Sequence, residues 1–375
     1  MTVRRAPVRI LISARDVGAA NHLSPIAKAA LETTSLDTTI VAQPPGNRIL
    51  MEHGLPVRTV NLPAAPDSMA PEAGQLIREA ETLLDDIAPD LLLTGLSGPD
   101  LGIDEALLKV ARTPHTYTLQ DYEGWVVSGF DRPARTYLVS DNSSAEITRR
   151  KGVEHTQVVG WLAYTRFHTL DVAGLRKAGH AAIQTDAPTL AVFGQTIEVP
   201  GYREALAGLG HAVRNLDRPL HVIYRPHPRQ TVAQADDDKA ILGHTVCGEI
   251  ANCPDIDVLT LIAACDVVAS CFSSVGMDFA AMNAVSPKPL GTPLFLMTQS
   301  DLRALHQRDS GFEIPWAARQ GAALAAQNEE ELPGILASAL DETTSRNLWS
   351  TAQQVIHIPH AGGNAVISSM LEDVA

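Results

Sequence analysis

Two stretches in opposite halves of the chain share one pattern: a short apolar run, then a turn of small or polar residues, then the start of a helix. The first stretch runs from Ile10 to Pro25, and the second comprises two turns that begin at Arg225 and Cys271. A chain that repeats this succession in both halves builds two nucleotide-binding folds, with the ligand expected in the cleft between them. We therefore expect an α/β protein with two Rossmann-like domains.

Apolar runs bounded by turn residues alternate with helical patterns along the whole chain, which is typical of parallel βαβ units. Strands are predicted in the first half at residues 8–13, 38–42, 58–61, 91–94, 115–119, 136–139 and 157–159. Strands are predicted in the second half at residues 189–193, 221–224, 245–247, 267–270 and 293–297. Helices are predicted at residues 26–32, 72–87, 102–111 and 364–372.

The alternation stops near Trp161 and restarts at Thr189, and the segment between them contains Gly174 and Gly179. This break predicts an N-terminal acceptor domain over residues 1–165 and an interdomain linker over residues 166–187. A donor domain is predicted over residues 188–350. The segment 351–375 is predicted to carry a final helix that packs back on the first domain.

The charge balance limits the partners that the surface can attract. The chain has 43 acidic and 29 basic residues, a formal net charge of −14, which disfavours nucleic acid and anionic membranes. The sequence leads directly into a strand without a secretory segment, and no apolar run is long enough to span a bilayer. We expect a cytoplasmic protein that binds any anionic ligand through local groups, and its oligomeric state stays open.

Four cysteines raise the question of a zinc site. Cys247, Cys253, Cys265 and Cys271 are separated by five, eleven and five residues, whereas zinc sites favour gaps of two to four. The last two flank a predicted buried strand. We therefore expect structural thiols that pack as small apolar groups, and no metal.

The turn before Pro25 suggests a catalytic base. Ser24 is suited to cap a helix, Pro25 is suited to its first turn, and Gly18 lets a ligand approach the backbone. His22 is then held at the mouth of the cleft, where it can take a proton from an attacking hydroxyl. The alternative is a histidine that only hydrogen-bonds the loop. The stretch is not a G-x-G-x-x-G fingerprint, so no dinucleotide cofactor is predicted.

A basic loop follows the strand predicted to end at Tyr224. Its prolines fix the chain direction, and Arg225, His227 and Arg229 are donors suited to phosphate oxygens. The alternative is an ordinary surface turn with incidental basic residues. The acidic run at residues 236–238 is predicted to be a solvated surface.

A second candidate phosphate site follows the strand predicted at residues 267–270. Ser273 and Ser274 supply hydroxyls at a helix N-terminus, which binds phosphate well. Asp278 lies one turn further and is suited to accept hydrogen bonds from ribose or sugar hydroxyls. The alternative is an ordinary serine-capped helix. No G-x-S-x-G elbow surrounds Ser273, which disfavours a hydrolase nucleophile.

Further loops at strand ends are predicted to face the same cleft. Gly194 lets a diphosphate come close, and Gln195 follows it. In the first half, Asp100, Asp121 and Glu123 are alternative bases or binders of an acceptor hydroxyl. Solvated loop carboxylates are the other interpretation of these three.

These motifs resemble those of the GT-B superfamily of nucleotide-sugar glycosyltransferases. The string from His22 to Pro25 is similar to the G-H-x-x-P turn of the peptidoglycan N-acetylglucosaminyl transferase and of antibiotic glycosyltransferases, although Asn21 replaces the usual glycine. The Arg225 loop and the Ser273 turn are similar to loops of capsule-type and teichoic-acid-type transferases. The motifs cover only some 25 residues, whereas the two-domain layout covers the whole chain.

The resemblance implies a metal-independent and cofactor-free transfer from a nucleotide-activated sugar such as a UDP-sugar to a small-molecule or glycan acceptor. The second domain would bind the donor and the first domain the acceptor. Arg225, His227, Ser273 and Ser274 would neutralise the leaving diphosphate, and His22 would be the base of an inverting displacement.

Two other classes of function stay open. UDP-N-acetylglucosamine 2-epimerases share this architecture, and Asp100, Glu123 and His227 occur in the order that such a site needs. Their characteristic His-Gly-Asp and Ser-Asp-Ser-Gly-Gly strings are absent from this sequence. The third class is a non-catalytic protein that binds a nucleotide sugar without turnover.

Overall fold

A computed structural model of the chain describes residues 6–96, 100–120, 123–124, 126, 130, 132–195, 199–245, 248–253 and 255–374. The chain divides into two compact units. Unit 1 comprises Met1–Arg166 and His357–Ala375, and unit 2 comprises Phe167–Ile356. Unit 2 therefore lies, in chain order, between the two segments of unit 1.

The strands are numbered in chain order. Those of unit 1 are β1 (Val8–Ala14), β2 (Leu36–Ala42), β3 (Arg58–Thr59), β4 (Leu91–Gly95), β5 (Thr116–Leu119), β6 (Thr136–Val139) and β7 (His155–Val158). Those of unit 2 are β8 (Thr189–Phe193), β9 (His221–Arg225), β10 (His244–Thr245), β11 (Gly248–Glu249), β12 (Ala251–Asn252), β13 (Val267–Ser270), β14 (Thr292–Leu296) and β15 (Leu324–Ala326).

The helices are numbered in the same way. They are α1 (Val17–Glu32), α2 (Gly46–Glu52), α3 (Pro71–Ile87), α4 (Ile103–Val110), α5 (Asn142–Arg150), α6 (Val172–Ile183), α7 (Tyr202–Arg214), α8 (Val232–Leu242), α9 (Val258–Ala264), α10 (Ser274–Val285), α11 (Ser300–Ser310), α12 (Trp316–Arg319), α13 (Leu332–Ala339), α14 (Glu342–Val355) and α15 (Gly362–Glu372). A 3₁₀ helix spans Leu162–Thr169. Within the described residues, no helix is both long enough and apolar enough to cross a membrane.

Unit 1 is built on a seven-stranded parallel sheet in the order β3-β2-β1-β4-β5-β6-β7. Leu11 packs into the core formed with α3 and α4. Its neighbours Ile10 and Ile12 pack into the opposite core, formed with α1 and α15. Because both faces of the sheet are covered, β1 is apolar at successive positions rather than at alternate ones.

The last helix belongs to unit 1, as the sequence predicted. Val366, Ile367 and Met370 of α15 are buried in the same apolar cluster as Ile26 of α1. The two helices approach so closely that a Cβ atom on Gly363 would lie 2.2 Å from the carbonyl oxygen of Pro25. Glycine at this position is therefore required for the contact.

Unit 2 is built on a six-stranded parallel sheet in the order β12-β9-β8-β13-β14-β15. The strands β10 and β11 form a separate antiparallel pair. Both units thus have an open parallel sheet with helical crossovers, and the expectation of two Rossmann-like domains is confirmed. From β8 the chain adds β9 and then β12 toward one edge of the sheet, and from β13 it adds β14 and β15 toward the other edge.

The prediction that α1 begins at Ser24 and Pro25 is wrong. The helix begins at Val17, where the side chain of Asp16 accepts a hydrogen bond of 2.9 Å from the backbone N–H of Ala19. Asp16 is an equally good cap that occurs earlier in the chain, so Pro25 falls inside the helix. The Ser24 hydroxyl does not cap and instead donates to the Ala20 carbonyl at 2.7 Å.

The structure also differs from the predicted linker at residues 166–187. This segment contains α6, which packs on α9 so closely that a Cβ atom on Gly179 would lie 2.5 Å from the Cβ of Ala264. Arg176 of α6 donates to the carbonyls of Ala263 at 2.9 Å and Leu290 at 2.8 Å. Gly179, one of the two glycines that indicated a break, thus allows close helix packing, and α6 is part of unit 2.

The far boundary of the donor domain differs as well. The helix α14 runs past residue 350, and the Trp349 indole N–H donates to the Ser286 carbonyl at 3.0 Å. Unit 2 therefore extends to Ile356. Of the strand predicted at residues 245–247, Thr245 belongs to β10, and the other two residues lie outside the described residues.

Candidate nucleotide site

The candidate site in unit 2 lies where the sheet order reverses. The loop after β8 carries Gly194 and Gln195, and the turn after β13 leads from Ser270 to Ser273. In an open parallel sheet, ligands bind outside the carboxyl ends of the strands at this point of reversal. The sequence predicted the first loop and the second turn as parts of one site, and the strand order makes them neighbours.

Two polar side chains are buried at these strand ends without a partner. The Gln195 side-chain N–H₂ and the Ser270 hydroxyl have no hydrogen-bond partner in the described part of the chain, although the residues are only 7% and 1% exposed. A buried donor that lacks an acceptor costs about 1–3 kcal/mol. Two such donors at the reversal point make these strand ends a candidate ligand site.

The helix α10 begins where the sequence predicted. Ser273 is its N-cap and accepts a hydrogen bond of 3.4 Å from the N–H of Val275, while Ser274 is exposed in the first turn. Asp278 is partly buried in the second turn. The free N–H groups and the helix dipole at this end favour an anion.

The basic loop follows β9, which ends at Arg225. The Arg225 guanidinium donates to the Ile256 carbonyl at 3.0 Å, so one of its nitrogens is held by the protein. His227 accepts a hydrogen bond of 3.1 Å from the Arg229 backbone N–H at Nδ1. Burial, together with the charge of Arg229, lowers the pKa of His227. A neutral imidazole with Nδ1 as acceptor carries its proton on Nε2, and this N–H is a donor suited to a phosphate oxygen.

Gly194 is confined by the end of β9 and by Gln230 in the loop that follows it. Its N–H donates to the Arg225 carbonyl at 2.9 Å. A Cβ atom at this position would lie 2.3 Å from the Tyr224 hydroxyl and 2.6 Å from the Gln230 side-chain oxygen. Only glycine fits there, which gives Gly194 a packing role in addition to the predicted approach of a diphosphate.

His22 lies in unit 1 and does not occupy a loop. It is 7% exposed within α1, and its ring centroid lies 6.5 Å from that of Trp161 and 6.4 Å from that of Tyr164. Burial lowers the pKa of His22 to about 4. Gly18 is likewise in the first turn of α1 rather than in a preceding loop. The predicted loop position is therefore wrong for both residues, and the role of His22 as a base stays a prediction.

The other proposed bases have different surroundings. Asp100 is exposed, and its backbone carbonyl accepts a hydrogen bond of 2.6 Å from Arg15. Glu123 is buried rather than solvated, and its carboxylate accepts from the Ser143 hydroxyl at 3.2 Å. Asp121 lies outside the described residues.

Unit 1 holds a buried carboxylate pair that the sequence analysis missed. Asp104 and Glu105 open α4, next to the point where the sheet order reverses between β1 and β4. Ser13 donates to Asp104, and the N–H of Gly102 donates to Glu105 at 2.7 Å. Burial, together with the charge of Asp104, raises the pKa of Glu105 to about 7. Two adjacent acidic residues, two and three positions after Gly102, were the available signal, because carboxylates favour a helix N-terminus.

In the part of the chain that the structure describes, no three His, Cys, Asp or Glu side chains are grouped so that they could hold a metal ion. Cys265 and Cys271 are buried, and burial raises the pKa of the Cys271 thiol to about 12. Both behave as apolar packing groups, whereas Cys247 lies outside the described residues.

Solved structures of similar shape cover almost the whole chain. They include Staphylococcus aureus MnaA in complex with UDP, with a TM-score of 0.71 and 14% identity over 98% of this chain and 97% of that one. A putative UDP-N-acetylglucosamine 2-epimerase from Listeria monocytogenes has a TM-score of 0.70 and 15% identity over 99% and 97% of the chains. A glycosyltransferase from Rickettsia africae has a TM-score of 0.63 and 11% identity over 99% of each chain.

The chain has the GT-B fold. No protein-family model matches this GT-B chain, and no curated protein matches it by sequence. At identities this low, the similarity of shape establishes the architecture alone. The chemistry of the GT-B chain therefore has to be argued from its own residues.

Proposed function

We propose that unit 2 binds the diphosphate of a nucleotide-activated sugar, and that the chain transfers the sugar to a hydroxyl group of an acceptor. The observation that carries this proposal is the pair of buried, unpartnered donors on Gln195 and Ser270 at the reversal point of the sheet. Ser270 ends β13, which leads to the N-terminus of α10, and Gln195 follows β8, whose neighbour β9 leads to the basic loop. We choose uridine as the nucleoside because a structure of similar shape contains UDP.

Each group of the site has a defined task in this transfer. The N-terminus of α10, with Ser273 and Ser274, and the side chains of Arg225 and His227 would stabilise the charge that grows on the leaving diphosphate. Asp278 would accept hydrogen bonds from ribose or sugar hydroxyls. No metal ion or resident cofactor is needed in this proposal, since backbone N–H groups and cationic side chains provide the neutralisation.

The proposed base acts on the acceptor, which unit 1 would bind. His22 is the first candidate, and Asp100, Asp121 and Glu123 are the alternatives. With a pKa of about 4, His22 is neutral and able to accept a proton throughout the neutral range. If it is the base, the acidic limb of the activity profile lies near pH 4, well below the value of an ordinary histidine.

Titration of the purified protein with UDP tests the proposed site. We expect wild-type protein to bind UDP and His227→Ala to raise the dissociation constant by about tenfold, because a hydrogen bond to a charged group contributes about 1.5–3 kcal/mol. His211→Ala, on the exposed end of α7, is the matched control and should leave the dissociation constant unchanged. Equal affinity of wild type and His227→Ala would remove the basic loop from the site.

A 2-epimerase is the second candidate, because one of the structures of similar shape is described as a putative UDP-N-acetylglucosamine 2-epimerase. Incubation with UDP-N-acetylglucosamine in the absence of any acceptor separates the two activities. Epimerisation at C2 of the sugar, followed by NMR, would favour the epimerase. Sugar transfer that occurs only after a hydroxyl acceptor is added would favour the transferase, and binding without turnover would leave a binding protein.

A further inference from the structure

Asp238 is buried in unit 2, although the sequence predicted the acidic run at residues 236–238 to be solvated. It is 4% exposed on α8, on the face that also buries Ala235 and Leu242. Two tyrosines and a glutamine surround it, and we refer to Tyr202, Tyr224, Gln230 and Asp238 as the Asp238 cluster. The cluster lies directly behind the basic loop at residues 225–229.

One carboxylate oxygen of Asp238 accepts three hydrogen bonds. The hydroxyls of Tyr202 and Tyr224 and the side-chain N–H₂ of Gln230 each lie 2.7 Å from Oδ2. Burial, together with hydrogen bonding inside the cluster, raises the pKa of both tyrosines, so their protons are available for donation. These donors compensate for the removal of the carboxylate from water.

The bond from Gln230 to Asp238 fixes which way the glutamine amide points. Because Nε2 is directed at the carboxylate, Oε1 is directed at the loop, where it accepts the backbone N–H of His227 at 2.7 Å. The reverse orientation would place the amide oxygen against the acceptor Oδ2 and the N–H₂ group against the His227 N–H, which would then have no acceptor. The charge on Asp238 therefore selects the orientation that holds the loop.

We propose that Asp238 is a positioning residue for the basic loop, and that it acts through Gln230 on the backbone of His227. The role in ligand binding rests on the proposed function, since it assumes that the loop binds a diphosphate. The same cluster also contacts the loop after β8. The Tyr224 hydroxyl and Gln230 Oε1 are the atoms that exclude a side chain at Gly194 in that loop. The two loops of the site thus share one buried support.

Four variants test the proposal. Gln230→Met keeps the length of the side chain and removes its hydrogen bonds with His227 and Asp238, together with the one that it accepts from the Tyr224 hydroxyl at 3.0 Å. Asp238→Asn keeps the shape and removes the charge that selects the amide orientation. The double variant combines the two. Tyr202→Phe is the matched control, because it removes a bond to Asp238 of the same length without touching the loop.

Two measurements are made on each variant: hydrogen exchange of the His227 amide in the ligand-free protein, and the dissociation constant for UDP. Gln230→Met should speed the exchange and weaken UDP binding by about tenfold each, which corresponds to one lost hydrogen bond of about 1.4 kcal/mol. Asp238→Asn should shift both in the same direction. The double variant should be no worse than Gln230→Met, because the two residues act in one chain of contacts.

Tyr202→Phe should lower the free energy of unfolding but leave both readouts within about twofold of wild type. Unchanged exchange at His227 in Gln230→Met and Asp238→Asn would overturn the proposal, as would additive effects in the double variant. If wild-type protein binds no UDP, the proposed function fails. The exchange measurement in the ligand-free protein then still decides whether Asp238 positions the loop.

Discussion

At the scale of single residues, burial decides the properties of the candidate groups more than their type does. His22 and Asp238 both have side chains that prefer water, yet each is almost fully enclosed. His22 is enclosed by apolar and aromatic side chains and stays neutral, whereas Asp238 is enclosed by donors that compensate its charge. A similar degree of burial is thus accommodated by apolar packing at His22 and by hydrogen-bond donors at Asp238.

The lowered pKa of His22 predicts a pH-dependent stability. The unfolded chain binds a proton at His22 below about pH 6.5, but the folded chain does so only below about pH 4, so the fold loses stability as the pH falls through this window. Between pH 7 and pH 5 the loss is about 2 kcal/mol. Urea unfolding of wild type and His22→Gln at both pH values measures it.

The difference between wild type and His22→Gln isolates this residue, since the other histidines are common to both proteins. The variant should lose less stability on acidification than the wild type does. Parallel pH dependence of the two proteins would show that His22 is protonated in the fold as readily as in the unfolded chain.

The Asp238 cluster shows why part of the site escaped prediction. Asp238 is bonded to Tyr224 and Tyr202, which lie 14 and 36 residues away in the chain. Charge runs on a helix are solvated in most cases, and only these distant partners make an exception of this one. The serine turn and the basic loop were found because their local pattern already specifies a strand end and a helix start.

At the scale of elements, strands were predicted well where a buried apolar run lies between turn residues, as in β1, β8 and β13. The strand β15 was missed because it is formed by Leu324, Ala325 and Ala326 in an alanine-rich stretch, and alanine has a low preference for strands. The start of α1 was misplaced because two good capping sites occur in succession. In both cases the local sequence is compatible with more than one structure, and burial in the folded protein determines which of them forms.

The N-terminus of α10 permits a test that separates helix capping from ligand binding. Ser273→Ala removes the cap of α10, and Asp341→Ala removes the cap of α14, whose side chain accepts from the N–H groups of Thr343 and Thr344. Each change should lower the free energy of unfolding by about 1 kcal/mol. Only Ser273→Ala should also raise the dissociation constant for UDP, measured by calorimetry on the folded variants.

If both capping variants bind UDP as wild type does, Ser273 is an ordinary cap and the anion site excludes its hydroxyl. If both variants weaken UDP binding equally, the weaker binding is caused by the loss of protein stability and not by the loss of a contact with the ligand. Either result would remove Ser273 from the proposed site.

At the scale of the whole molecule, unit 1 is assembled from two segments that are distant in the chain. The contact of Gly363 with the Pro25 carbonyl seats the second segment on α1. Gly363→Ala should therefore destabilise the protein by about 1–3 kcal/mol, the range for an overpacked contact. Gly334→Ala in α13 meets no atom within 4 Å and should be neutral or stabilise by roughly 0.5–1 kcal/mol.

Urea unfolding of the two glycine variants measures this difference in the free energy of unfolding. The two variants are comparable because each adds one methyl group. A Gly363→Ala variant as stable as Gly334→Ala would mean that α15 can shift on α1 without loss of packing.

The interleaved order of the segments also determines the order of events during synthesis. The ribosome finishes all of unit 2 before it makes the residues of α15, so unit 2 is the first of the two that has its complete sequence. Until translation reaches residue 370, the side chains of Leu23 and Ile26 lack part of their cover. The nascent chain therefore carries an incompletely covered apolar surface on α1 while unit 2 is already able to fold.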